Sequence, residues 1–138
     1  MARRFPVYLF RKHVSMRVTN FIWVAAGGGI GSMLRYGASV LFKDKLYPLA
    51  TFSVNLTGCF IIGIVFALSL RQNGLAEHWK LFLATGICGG FTTFSAFSLE
   101  NMGMLQSGRY GAALVYTGLS LVLGIAATFL GYTLVMKN

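Results

Sequence analysis

The sequence predicts an all-α integral membrane protein of four transmembrane helices, and three observations predict it. Apolar residues make up 56% of the 138 and charged residues only 11%, where a soluble domain carries about 25% charged residues. The mean hydropathy is +0.68. Four apolar runs, at about 20–42, 49–70, 79–100 and 110–136, each approach the ~20 residues that cross a bilayer core. They are too long for strands and do not alternate. A basic arm over residues 1–19 precedes this four-helix domain, which fills residues 20–138.

The connections are brief: Lys43 to Pro48, Arg71 to His78, and Asn101 to Arg109. Such short links predict sequential helices as antiparallel neighbours. The arm holds Arg3, Arg4, Arg11, Lys12 and Arg17 around a short apolar patch. It lacks the apolar core and cleavage site of a secretory signal and reads as a cytoplasmic arm, with Met16 as an alternative start.

The net charge of +9 does not argue for nucleic acid, because the cations flank apolar runs instead of forming a basic face. Eight basic residues fall on the side of the termini and four on the other, and starting at Met16 leaves four against four. Such a core carries no orientation bias and permits antiparallel homodimers. Cys59 and Cys88 lie inside apolar runs without a Cys or His at ligand spacing, and read as small buried hydrophobes.

Polar residues inside the runs carry the information, since hydrogen-bonding groups in hydrocarbon must find partners. In the first run, Gly27-Gly28-Gly29-Ile30-Gly31 is a face for close helix packing; Ser32 breaks the dinucleotide-loop spacing. Arg35 reads either as an interfacial anchor beside Tyr36 or as a cation near the mouth of an anion path. In the second run, Thr51 and Asn55 share a face; Asn55 either joins two helices or donates its amide to an anion.

The third run is the centre of interest. Gly86, Gly89 and Gly90, followed by Thr92, Thr93, Ser95 and Ser98, support an unbroken helix poorly. A break near the midplane frees carbonyls suited to a small cation. Phe94 and Phe97 stack on one face, with Ser95 and Ser98 on the adjacent stripe. Ring edges and hydroxyls can replace part of an anion's hydration, though an aromatic stripe is also ordinary packing. Tyr116 and Ser120 in the fourth run either extend a hydroxyl track or make interhelical bonds.

These residues resemble the Fluc fluoride channels, also called CrcB proteins, over about 20–136. The resemblance rests on Gly31-Ser32-Met33-Leu34-Arg35-Tyr36, on Thr51-Phe52-Ser53-Val54-Asn55-Leu56, and above all on Gly89-Gly90-Phe91-Thr92-Thr93-Phe94-Ser95-Ala96-Phe97-Ser98. It implies a dual-topology antiparallel homodimer with two fluoride pores and a structural Na⁺ at its centre. Carried over, the Na⁺ carbonyls fall on Gly89 and Thr92, the anion-facing rings on Phe94 and Phe97, and the amide donor on Asn55. Thr51, Tyr116 and Ser120 match path-lining polar residues, Arg35 the arginine of the first helix, and Glu100 a carboxylate just beyond the motif. Ala96 and Gly124 depart from the pattern, each removing a hydroxyl on or near the path.

The function expected is passive fluoride export across a bacterial inner membrane, lowering fluoride toxicity. A small proton-coupled multidrug exporter is the alternative. It needs a titratable carboxylate within the bundle, whereas Glu100 is expected at the end of the third helix. An intramembrane enzyme lacks a Ser, His and Asp constellation, because His13, His78 and Asp44 fall outside the runs. A purely structural protein leaves the hydroxyl and phenylalanine stripe unexplained.

Overall fold

The computed structural model describes residues 17–42, 48–71 and 73–137. The arm through Met16 and residues 43–47, 72 and 138 lie outside the described residues. Among the described residues the chain is helical, with no strand. α1 is Val18–Leu41 and α2 is Leu49–Leu70. Residues 77–91 form α3: an α-turn over Glu77–Lys80, wider i→i+5 bonding over Leu81–Cys88, and an α-turn over Gly89–Phe91. Thr92 and Thr93 are extended, with ψ of 155° and 113°. α4 follows over Phe94–Gln106 and α5 over Tyr110–Met136. The turn between α4 and α5 needs a left-handed residue and has Gly108 at φ +72°.

The third helical stretch is longer than expected. It reaches Gln106, which places Glu100 in the middle of α4 and not at a helix end. The Glu100 carboxyl group finds two hydroxyl partners inside the bundle, from Thr51 and Tyr116.

Leu49–Leu70, Glu77–Gln106 and Tyr110–Met136 are each long and apolar enough to cross a membrane. At 24 residues α1 has the length but does not reach the same hydropathy. Five glycines together with Ser32, Arg35 and Ser39 dilute its apolar content.

Two glycine seams organise the bundle. A β-carbon on Gly27 would run into the Phe82 carbonyl and one on Gly31 into the Ile87 carbonyl, while Gly86 faces Gly27 and Gly90 faces Gly28. Positions rise together along both helices, so α1 and α3 are parallel. Likewise a β-carbon on Gly63 would strike the Thr128 carbonyl and one on Gly131 the Phe60 carbonyl. Phe52 pairs with Tyr116, and Phe66 with Tyr132, at ring-centroid distances of 6.5 and 6.0 Å. α2 and α5 are therefore parallel too. At their shared end the Arg71 guanidinium donates to the Val135 carbonyl at 2.5 Å, meeting the negative end of α5.

α2 does run antiparallel to the third helical stretch: Gly58 meets Thr92, Asn55 meets Thr93 and Thr51 meets Glu100. The closest packing, however, joins α1 to α3 and α2 to α5, and α1 scarcely touches α2. Backbones approach closely where a glycine leaves room, and these glycines line the α1–α3 and α2–α5 contacts. Trp23, His78, Trp79 and Phe82 form a ring cluster that ties α1 to the start of α3.

Little is buried. Val54, Val65, Ala67 and Ala84 contribute to a small core, while Phe21, Ile22, Leu114, Val122, Ile125 and Phe129 are each more than 60% exposed. Leaving such side chains in water forfeits ~1.5–3 kcal/mol apiece, so this surface suits lipid or another protein surface.

The seams set an expectation for single methyl groups. Gly63→Ala and Gly131→Ala should each lower thermal stability in detergent by about 1–3 kcal/mol through overpacking. Gly111→Ala, which meets nothing within 4 Å, should be neutral or stabilising by up to ~1 kcal/mol through helix propensity. Equal melting temperatures for all three would dissolve the seam.

Candidate functional site

The interruption after Phe91 begins where Gly89 and Gly90 support a helix least. Thr92 ends α3 by directing both its amide (2.9 Å) and its hydroxyl (2.8 Å) at the Cys88 carbonyl. Thr93 then turns to α2. Its amide donates to Asn55 Oδ1 at 2.8 Å, and its carbonyl accepts from Asn55 Nδ2 at 3.2 Å. The side-chain amide thus pairs with the main chain as a neighbouring strand would. The Thr93 hydroxyl accepts from the Ala96 amide at 3.2 Å, capping α4, and lies 3.1 Å from Ser95 Oγ.

This clasp redirects two amides. In a continuous helix the Thr93 amide would serve the Gly89 carbonyl and the Ala96 amide the Thr92 carbonyl. Here they serve Asn55 and Thr93 Oγ1. Gly89 is exposed and Thr92 half-buried.

One turn before Asn55 on the same face of α2, Thr51 meets Glu100, which gathers three helices. Thr51 Oγ1 donates to Oε1 at 2.6 Å and the Tyr116 hydroxyl donates to Oε2 at 2.7 Å. Each carboxylate oxygen therefore holds a hydroxyl from a different helix, α2 or α5. The Phe97 ring packs on Tyr116 at 5.1 Å, with Met104, Ala113 and Phe52 around it.

Phe94 and Phe97 touch, their centroids 5.6 Å apart, but their surroundings differ. Phe97 is packed, and Phe94 is 79% exposed. Ser95 and Ser98 are also exposed, and Ser98 donates to the Phe94 carbonyl at 2.9 Å. The Ser120 hydroxyl is enclosed and makes no hydrogen bond among the described residues. Arg35 stands apart, half-buried on α1 one turn beyond Gly31.

The expected residues therefore fall into distinct settings. Asn55 clasps the interruption, Thr51 and Tyr116 hold Glu100, and Phe97 packs beside them. Sequence reasoning missed Thr93 as the partner of Asn55, although Thr immediately before an apolar helix is an N-cap signal. It also missed Asn101 and Thr117, joined at 2.9 Å across α4 and α5.

Because Asn55→Ala leaves the Thr93 amide and carbonyl without these partners, it should cost about 1–3 kcal/mol or more in thermal unfolding. Ser98→Ala, removing an exposed local bond, should stay within ~0.5 kcal/mol. Comparable small losses in both would remove the clasp from the stability account.

Comparison with known proteins places this arrangement in context. The family described as "CrcB-like protein, Camphor Resistance (CrcB)" matches residues 22–132. A "Fluoride-specific ion channel FluC" of Azobacteroides pseudotrichonymphae is 50% identical over 114 residues, covering 80% of this chain and 91% of the relative. A protein of that name from Thermus thermophilus is 45% identical over 122 residues, covering 86% and 95%. "Fluoride-specific ion channel FluC 1" of Listeria monocytogenes serotype 4b is 42% identical over 120 residues, covering 85% and 98%. With likeness of this depth across nearly the whole length of each relative, the chain belongs to the CrcB-like family.

Proposed function

We propose that this protein is a fluoride channel, not an enzyme, that lets F⁻ leave the cytoplasm passively across a bacterial membrane. The observation that carries the reading is its 42–50% identity to relatives named fluoride-specific ion channels. The site chemistry is in keeping with it. Fluoride is small and strongly hydrated, so a path must replace water with donors and positive ring edges. Phe94 and Phe97 offer edges, Asn55 keeps a second amide proton, and the enclosed Ser120 hydroxyl has an unused donor. Thr51, Tyr116, Ser95 and Ser98 supply further hydroxyls, and Arg35 a cation at the approach. A membrane potential negative inside drives the anion outward with ~2.3 kcal/mol per 100 mV.

The active form in this reading is an antiparallel homodimer with all four apolar runs crossing the membrane. Its support is the charge balance of the core and the exposure of Gly89, Phe94, Leu99 and Met102. A structural Na⁺ fits the same face, because the amides that would serve the Gly89 and Thr92 carbonyls are redirected by the clasp. Two carbonyls from each copy would give a hard cation four oxygen donors. Its contribution when bound is to tie the copies together.

The mid-helix position of Glu100 removes one argument against a proton-coupled exporter, so the test must separate the two. Liposomes containing only this protein should release fluoride without a pH gradient and should not accumulate a cationic drug when one is imposed. Phe94→Met and Phe97→Leu, which cost under ~1.5 kcal/mol if the rings only fill space, should nevertheless cut flux at least about tenfold, a barrier change of ~1.4 kcal/mol. Asn55→Asp should do the same by placing negative charge against the anion. Wild-type flux in assembled Phe variants would return both rings to packing.

Replacing Na⁺ by a larger cation should depress flux, and Ser107→Cys in cells should be labelled from both sides of the membrane. Full activity in thoroughly Na⁺-depleted buffer would retire the cation. One-sided labelling would retire the antiparallel dimer.

A further inference from the structure

Threonines within helices usually turn their hydroxyls onto a carbonyl of the preceding turn. On α5, Thr128 donates to Gly124 at 3.0 Å and Thr133 to Leu130 at 3.0 Å, both in this local way. Thr117 does not. Its hydroxyl crosses to α4 and donates to Asn101 Oδ1 at 2.9 Å.

That crossing makes a ladder. Glu100 and Asn101 are consecutive on α4, and Tyr116 and Thr117 are consecutive on α5. Each residue of one pair is bonded to one of the other, at 2.7 and 2.9 Å. The other end of the Asn101 amide is used as well, since Nδ2 donates to the Phe97 carbonyl at 2.9 Å. These bonds define the amide's orientation, because a flipped amide would set its oxygen against the Phe97 carbonyl oxygen.

The packing described at this seam is small. Beyond the Phe97 and Tyr116 rings, its buried contact is the small Met104 and Ala113 cluster. A groove of about 550 Å³, lined by Phe97, Ser98, Asn101, Tyr110, Leu114 and Thr117 among others, leaves one side open.

We propose that Asn101 is a positioning residue for anion passage: through Thr117 it sets the register of α4 against α5, and through the Phe97 carbonyl it holds that turn of α4 in place. This rests on the reading that Phe97 faces the fluoride path. The Asn101 amide itself does not contact the anion. It keeps the Phe97 ring and the Tyr116 hydroxyl at the separation the path requires.

Single-vesicle fluoride efflux tests this by separating two quantities, the rate per active channel and the fraction of vesicles that release fluoride. A merely structural loss lowers the fraction; misplaced path residues lower the rate. Thr117→Val should cut the rate about three- to tenfold at unchanged fraction, the factor of an interhelical hydrogen bond expressed in the barrier. Thr117→Ser, which keeps the hydroxyl, should restore the rate. Asn101→Ala should fall at least as far, and the double variant should match Asn101→Ala within about twofold, as partners in one contact do. Asn101→Ala reads the contact from its other side, so a Thr117→Val protein that does not assemble leaves the test intact. Wild-type rate in either assembled single variant overturns the proposal, as does a loss confined to the fraction. A parallel Phe97→Leu measurement separates the two levels: wild-type flux there fails the path reading, whereas low flux there with normal Thr117→Val fails only this inference.

Discussion

Main-chain groups freed by an interruption of a helix must find new partners, and the pairing of Asn55 with Thr93 meets that constraint where the third helical stretch is interrupted. An amide or carbonyl left unpaired in apolar surroundings costs several kcal/mol. One side chain on α2 satisfies both groups of one residue. With Thr93 supplying the cap of α4, the chain can change direction between two helices without leaving those amides unpaired. The redirected amides, the setting of Phe94 and Phe97, and the register of α2 against α4 all follow from that clasp. Without the Asn55 amide, the Thr93 amide and carbonyl would lose the partners that hold the interruption against α2.

Glycine does the complementary work. The clasp holds α2 to the interruption by direction-specific bonds, whereas the seams hold parallel helices by contact between backbones. Lipid tails are as apolar as leucine, so apolar side chains alone give helices little reason to choose one another. Small residues choose for them. This division explains why the buried core is so thin: specificity resides in a few polar bonds and in surfaces with no side chain at all.

Much of this is legible in the sequence where the information is local. Apolar runs bounded by turns locate α2 and α5, and the glycines around position 89 mark a weak point in the third run. Glu100 misleads because a charge inside an apolar run normally marks its end; its two hydroxyl partners lie 49 and 16 residues away. Asn55 reads as either a helix link or an anion donor, and spacing does not decide, since its partner is 38 residues distant. The equal spacing of Phe94 and Phe97 likewise conceals that α5 packs beside only one of them. Asn101 falls beyond the end of the predicted span, so its bond to Thr117 has no place in the pattern.

The pairing of α2 with α5 has a consequence for biogenesis. The Arg71 bond to Val135 spans 64 residues, and the glycine contacts beside it join the same distant segments. When α2 first enters the membrane, the partner for its glycine face has not yet been synthesised. α3 and α4 arrive earlier and can engage Asn55 and Thr51, so the polar groups of α2 are satisfied before its packing face is. The last helix to emerge closes the bundle, and until then the nascent chain presents an unmatched groove to the insertion machinery and to neighbouring chains. The α1–α3 seam can close once α3 has emerged, whereas the α2–α5 seam waits for the last helix.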